Sequence, residues 1–395
     1  MVAVVKVDRR QFTKLMATAG AAFAMERWLD AAAVQPVAGG RLVRTMPLGR
    51  LDGRPAPPLN TLLGTSLDAR QFTDLSTLDR ERPLTATDHF YIRTAHPPSL
   101  PPAASWRINC GGLLPQERSL DLRTLETDSA SMGTHVMECS GNVDPANFGL
   151  LSAAAWDGIL VRDVLDRIGR PSAAQRVRIT GFDDDRFRSV SSNAGASWVF
   201  TVEELERTRA FFALRMNGTL LSADHGAPVR LVVPNYYGCS CIKWVSRIDW
   251  VPDDEPSTSQ MREFAARTHQ KGVPLAAGDY EAPAIDLAAA PIRVEQWIVT
   301  RDGRERIVYR VVGIRWGGNI VNAPLTIRFK HTERFVPLED NPPATSPSSF
   351  TLWSHTWTPD MPGRYQIALS VSDPTVRSRR LDIFYYTRDV EIDRV

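Results

Sequence analysis

Long apolar runs are the first thing this sequence lacks. No stretch approaches the ~18 consecutive apolar residues that a membrane-spanning helix requires, so no stable membrane insertion is expected. An excess of one charge is missing as well: 47 Lys and Arg face 45 Asp and Glu, a formal net charge of +2. With no basic run beyond an ordinary solvated face, that balance removes nucleic acid from the expected partners. Cysteine is scarce. Cys110, Cys139, Cys239 and Cys241 are too few to staple a chain of 395 residues, and Cys239-Ser240-Cys241 lacks the CxxC spacing of redox and zinc sites. Nor is there a CxxCH motif to attach haem. Proline is plentiful by contrast: 28 in 395 residues exceeds the ~5% average, which speaks for many turns and against a helical bundle. A hydrophobic fraction of 43% and a charged fraction of 23% are those of a globular protein, and the length supports two domains.

The chain opens with Asp8-Arg9-Arg10-Gln11-Phe12, followed by small apolar residues from Met16 to Ala24. Paired arginines, a nearby phenylalanine, a weak apolar segment and an Ala22-Phe23-Ala24 cleavage-like site read as a twin-arginine export signal, which implies a periplasmic protein. The plainer alternative is an amphipathic first helix with a basic start. Export by this route moves folded proteins, so it raises the expectation of a cofactor inserted beforehand. Residues 1–34 are assigned to this signal and an arm, 35–285 to a catalytic domain and 286–395 to a second domain. Within the first part, residues 35–63 show no period and suit an arm draped over the fold. Residues 106–112 and 176–180 read as strands, 119–125 as a short helix capped by Ser119 or Asp121, and 156–169 as a core-facing helix closed by Gly169 and Pro171. From Ile292 onward the pattern is all β. Runs at 294–299, 307–312, 325–329, 350–357, 365–372 and 381–386 alternate between turns and predict an antiparallel sandwich. The fold class is therefore α+β, a mixed catalytic domain followed by an immunoglobulin-like sandwich.

Candidate chemistry concentrates in a few places. Val136 and Met137 lead through Glu138 into Cys139-Ser140-Gly141-Asn142, the pattern of a strand delivering a thiol into a tight turn at the mouth of a site. A thiolate is the softest ligand a side chain offers, so Cys139 is the candidate ligand for a soft or high-valent metal, set against the ordinary small buried hydrophobe. Arg93 closes the run Phe90-Tyr91-Ile92 shortly before Pro97 and Pro98. It is either a solvent-facing charge or a fork for a phosphate or oxyanion. His225, Arg230 and Lys243 lie near turns between apolar strands; each alone has a structural reading, and together they would form an anion site. Asp183, Asp184 and Asp185 match no calcium-loop spacing and suit a solvated turn, with Asp183 kept among the cofactor-binding candidates.

In their order these blocks resemble the sulfite oxidase family of molybdopterin-dependent oxidoreductases. The resemblance is carried by Phe90-Tyr91-Ile92-Arg93, by Met137 to Asn142, by residues 156–165, and by residues 217–234 with Tyr236-Tyr237-Gly238 and Ile242-Lys243-Trp244. Residues 313–318 and 353–365 extend it into the second domain. It implies a sulfite-oxidase-like domain holding molybdenum-molybdopterin (Mo-MPT), a dimerisation sandwich, a homodimer and no haem domain. In such a family the turn cysteine ligates molybdenum, here Cys139. The arginine of FYIR, the histidine and arginine of HGxPxR and the lysine of the KW pair line the pterin phosphate or metal pocket, here Arg93, His225, Arg230 and Lys243.

The implied reaction is oxidation of sulfite, a small oxyanion, to sulfate by oxygen atom transfer. Electrons would leave to a separate electron-transfer protein such as cytochrome c. Sulfoxide reduction by the same cofactor, or a non-catalytic β-rich binding protein, are the alternatives. Three departures stand out. Val143-Asp144 occupies the place of a usual arginine pair, Thr94-Ala95 replaces Asn-His after Arg93, and a tyrosine expected within 262–270 has no counterpart. An aspartate in that place would repel each negative charge of a dianion by ~1–4 kcal/mol at about 4 Å. Trp316, Trp353 and Trp357 give the second domain more aromatic surface than a small module usually exposes. Some of these rings are expected in the core, and the resemblance assigns the domain to a two-fold interface.

Overall fold

The computed structural model describes residues 37–50, 56–94, 99–172, 174–182, 196–320 and 322–395. The Arg9-Arg10 motif and Asp183 lie outside the described residues. Two five-stranded sheets carry the first part of the chain. In one, Ala130–Glu138, Leu151–Leu160, Phe211–Met216 and Thr219–Leu220 lie side by side, and Arg230–Val232 also pairs with Phe211–Met216. The other runs Arg118–Asp121, Arg107–Gly112, Arg247–Val251, Arg176–Thr180, Ser197–Thr201. Only the pair Arg107–Gly112 with Arg247–Val251 is parallel within it.

The helix expected over 156–169 is half strand. Leu151–Leu160 is extended, and only Val161–Ile168 is helical before Gly169 ends it. The strand lies between two partners and is almost entirely buried, so no polar alternation betrays its period of two. Gly158 is needed there, because a Cβ would come within 2.1 Å of the Phe212 carbonyl oxygen. Likewise the start of the helix expected over 119–125 is strand. The helix is Leu122–Thr127, and the Asp121 carboxylate caps it by accepting from the Arg123 N–H at 2.8 Å.

The C-terminal part builds two four-stranded sheets. Ala288–Arg301 and Arg304–Trp316 form a long hairpin, flanked by Gly40–Met46 on one side and Thr351–Trp357 on the other. Its turn is Asp302-Gly303, with φ of 53° and 72°, the left-handed pair that a two-residue turn between twisted strands favours. The second sheet runs Val336–Pro337, Leu325–Arg328, Gly363–Val371, Arg388–Ile392. Phe329 stacks on Trp357 at 4.1 Å and Trp357 meets Tyr365 edge-on at 4.6 Å, so aromatic rings join the two layers.

Part of the arm read at 35–63 is therefore an edge strand of the sandwich, since Gly40–Met46 pairs with Ala288–Arg301. Residues 381–386 are not the expected strand. The segment is a helical turn, Arg379–Asp382, and a loop; the strand is Arg388–Ile392. Within the segment Leu381 and Tyr386 are buried, and Tyr386 turns its hydroxyl to the buried Glu138 carboxylate rather than joining a sheet. Trp316 and Trp353 are fully buried and Trp357 half-buried within the single chain, so these rings are core. One continuous hydrophobic cluster spans both parts. No described helix is long and apolar enough to cross a membrane.

Candidate active site

A cavity of ≈ 780 Å³ opens where the end of Ala130–Glu138 meets residues 260–269 and 379–385. Cys139 faces it from a turn whose local bonds come from the backbone and from Asn142. The Cys139 N–H donates to Leu150 O at 2.9 Å, the Asn142 N–H to Cys139 O at 2.9 Å, and the Leu150 N–H to Asn142 Oδ1 at 3.0 Å. The Gly141 N–H points at the sulfur, 3.4 Å away. Burial pushes the Cys139 thiol above its ordinary pKa, opposed by that N–H and by Arg93 and Arg267. A metal that displaces the proton would gain a fixed, soft thiolate.

Arg93, Arg230 and Lys243 line the same cavity. Lys243 Nζ donates to Asp224 O at 2.5 Å, Thr94 Oγ1 at 3.2 Å and Arg93 O at 3.3 Å, which anchors the ammonium on the backbone that carries Arg93. Arg230 donates through Nη1 to His225 O at 3.0 Å and through Nη2 to Cys241 O at 3.3 Å, while its buried Nε has no hydrogen-bond partner among the described residues. Gly226, at φ 102°, lets the two cations approach, because a Cβ there would sit 3.0 Å from Arg230 Cβ and 3.2 Å from Lys243 Cβ. His225 stands behind this wall rather than in it. Its Nδ1 is 2.9 Å from Ser222 Oγ and its Nε2 3.3 Å from Phe90 O. Burial, then Lys243 and Arg230, bring its pKa down to about 3, so the imidazole is neutral and positions its neighbours.

Sequence reasoning did not select Arg267, His269, Arg379, Arg380 and Tyr385, all of which line the cavity. Arg380 reaches in from the sandwich to Glu138, the residue before the thiol. Glu138 is fully buried and accepts from Arg380 Nη1 at 2.8 Å, Tyr386 OH at 2.7 Å, Trp316 Nε1 at 2.9 Å and Asn142 Nδ2 at 3.4 Å. Arg380 Nη2 also donates to Ser140 O at 2.9 Å, and Tyr385 OH to Asn142 O at 2.5 Å. The C-terminal part thus grips the thiol-bearing turn on both sides of the sulfur. The available signal was an acid inside an apolar strand, which burial obliges to find donors.

The aspartate expected to repel an anion does not face the cavity. Asp144 is paired with Arg388 and, at 3.2 Å, with Arg50, while Val143 supplies the wall. Within 262–270, Phe264 and Arg267 reach the site where a tyrosine was expected, and the tyrosines that line it are Tyr91 and Tyr385. No carboxylate lines the cavity among the described residues. A single soft donor, surrounding cations, an unpartnered guanidinium nitrogen and a volume in the usual range for cofactor sites together suit an anionic cofactor bearing a soft-ligated metal.

Comparison with known proteins agrees with this chemistry. Residues 95–259 match the family described as "Oxidoreductase molybdopterin binding domain". The chain is 31% identical to sulfite oxidase of Gallus gallus over 47% of this chain and 43% of that protein, and 24% identical to sulfite oxidase of Arabidopsis thaliana over 46% and 51%. It is 27% identical to a nitrate reductase of Phaseolus vulgaris over 42% of this chain and 20% of that protein. The chain thus spans about half the length, or less, of the curated relatives it matches. In fold it is similar to the sulfane dehydrogenase SoxCD from Paracoccus pantotrophus, with a TM-score of 0.57 and 16% identity over 84% of this chain and 81% of that one.

Proposed function

Because the chain belongs to the sulfite oxidase family of molybdopterin enzymes, we propose that it oxidises sulfite to sulfate and passes the electrons to a separate acceptor such as cytochrome c. Molybdenum-molybdopterin, when bound, supplies the two-electron redox chemistry and the oxygen atom exchange. The chain's own residues bind, orient and exclude water. Cys139 would hold the metal. Arg93, Lys243 and the free Nε edge of Arg230 would hold the phosphate and pterin, and neutral His225 would keep the Arg230 fork in place through its carbonyl. An anionic substrate is drawn by a cavity whose described walls carry cations and no carboxylate. That coexistence of one fixed thiol with several cations is the observation that carries the reading.

Export through Arg9-Arg10 and a homodimer formed through the sandwich belong to the same proposal, supported by the motif and the family. Protein produced in a cofactor-competent host should contain about one molybdenum per chain and reduce cytochrome c or ferricyanide only when sulfite is added. Molybdenum present without sulfite turnover, but with sulfoxide-dependent oxidation of a reduced dye, would overturn the substrate assignment. Absence of molybdenum would overturn the enzyme reading itself.

A further inference from the structure

We propose that Arg267 is the residue that binds the substrate oxyanion, taking over from the segment after the thiol turn; this rests on the oxidoreductase reading of the same cavity. Two observations meet here. After the turn, Val143 is apolar and Asp144 is neutralised by Arg388 and Arg50, so that segment offers an anion no positive group. From another part of the chain, Arg267 projects into the cavity, with its guanidinium over the Phe264 ring at 5.4 Å. No carboxylate pairs with it among the described residues, whereas Arg380 is committed to Glu138 and Arg379 to Glu281 and Asp286.

Gly141 measures the approach. A Cβ placed on it would lie 3.3 Å from Arg267 Nη1 and 3.8 Å from Cys139 Sγ, so guanidinium and sulfur face each other across at most roughly 7 Å, a span over which charge acts appreciably. An oxyanion beside a metal on that sulfur lies within reach of the fork, and a planar guanidinium donates to two of its oxygens at once. A side chain at position 141 would touch both of them.

Steady-state kinetics of the holoenzyme test this first. Arg267→Ala should raise KM for sulfite by about tenfold or more, the usual worth of a charge-assisted hydrogen bond, with a smaller change in kcat and weaker competitive inhibition by sulfate. Arg267→Lys should recover part of the loss. Arg262→Ala, which removes an exposed charge from the neighbouring helix, should change neither constant.

A second readout needs neither molybdenum nor turnover. In full-length protein made without cofactor, Cys139 should react with iodoacetate faster, relative to iodoacetamide, than a thiol without a nearby cation, and Arg267→Ala should lower that ratio by about threefold. An unchanged ratio overturns the proposal whatever KM does, and so does an unchanged KM in an active enzyme. A lowered ratio in a protein whose unsubstituted holoenzyme ignores sulfite keeps the oxyanion site and removes only sulfite as its ligand.

Discussion

Arg380→Ala should cost about 3–5 kcal/mol of stability, because it leaves the carboxylate of Glu138 buried without its ion-pair partner. Glu138 is wholly inaccessible and the Arg380 side chain retains only 11% of its exposure, so the pair is buried, although Arg380 borders the cavity and solvent entering there would offset part of the loss. Tyr386, Trp316 and Asn142 still donate to the carboxylate, which favours the lower end of that range. The guanidinium also lies over Tyr237 at 4.8 Å and Tyr385 at 4.9 Å, and those contacts go with it. Glu138→Gln keeps the shape and an acceptor but strands a buried cation, so it too should destabilise. Combining it with Arg380→Ala removes both charges. The double variant should be more stable than the sum of the single effects by about 2 kcal/mol, within the range of directly contacting pairs.

Urea unfolding followed by tryptophan fluorescence measures this, with Trp316 reporting from within the network and the slope m compared across variants to confirm one transition. Burial lowers the Arg380 pKa, but Glu138, Tyr386 and Tyr237 outweigh it and the net shift is upward. A raised cationic pKa gives stability that is complete below the unfolded value of about 12.5, so the cost should be the same from about pH 6 to 9. A loss under about 1 kcal/mol, or strictly additive single effects, would refute the picture of a buried ion-pair clamp on the cysteine turn.

His225 predicts a pH dependence of the opposite kind. Its folded pKa of about 3 lies below an unfolded value near 6.5, so its contribution is complete above about pH 6.5 and lost as the pH falls, at about 1.4 kcal/mol per unit. Urea midpoints measured against pH should show that slope, and His225→Gln should flatten it. Cys139→Ser should abolish molybdenum retention and turnover with an unchanged circular dichroism spectrum, whereas Cys239→Ser and Cys241→Ser keep both; equal losses at all three would deny Cys139 a unique role. Gly313→Ala would drive a Cβ to 2.0 Å from the Trp353 ring and 2.6 Å from Ala290 O, so thermal unfolding should reveal a cost of about 1–3 kcal/mol; a variant as stable as the parent would show that the ring can yield.

By itself the sequence determined what is local. A thiol at the end of an apolar strand, turned by Ser-Gly-Asn, needs only neighbouring residues to form, and the structure holds Cys139 with hydrogen bonds to residues no further away than Leu150. The hairpin around Asp302-Gly303 and the helix end at Gly169 were legible for the same reason, since turn chemistry acts over a few residues. Arg93, Arg230 and Lys243 were legible as a set through their motifs, and the fold brings them to one cavity.

Tertiary structure alone decided which side chains surround the sulfur. Arg380 and Tyr386 reach Glu138 across more than two hundred residues of chain, and nothing in a local period records such a pairing. The segment 381–386, an apparent strand, instead completes the helical turn Arg379–Asp382 and continues as a loop whose Tyr385 and Tyr386 hydroxyls reach Asn142 and Glu138. Pairing on both edges made a strand of Leu151–Leu160, where a buried apolar run admits either period. Arg388 decided that Asp144 faces away from the cavity, and the packing of residues 260–269 against the cysteine turn brought Arg267 to the cavity. Charge and burial act through distances in space, and only the folded chain sets those distances.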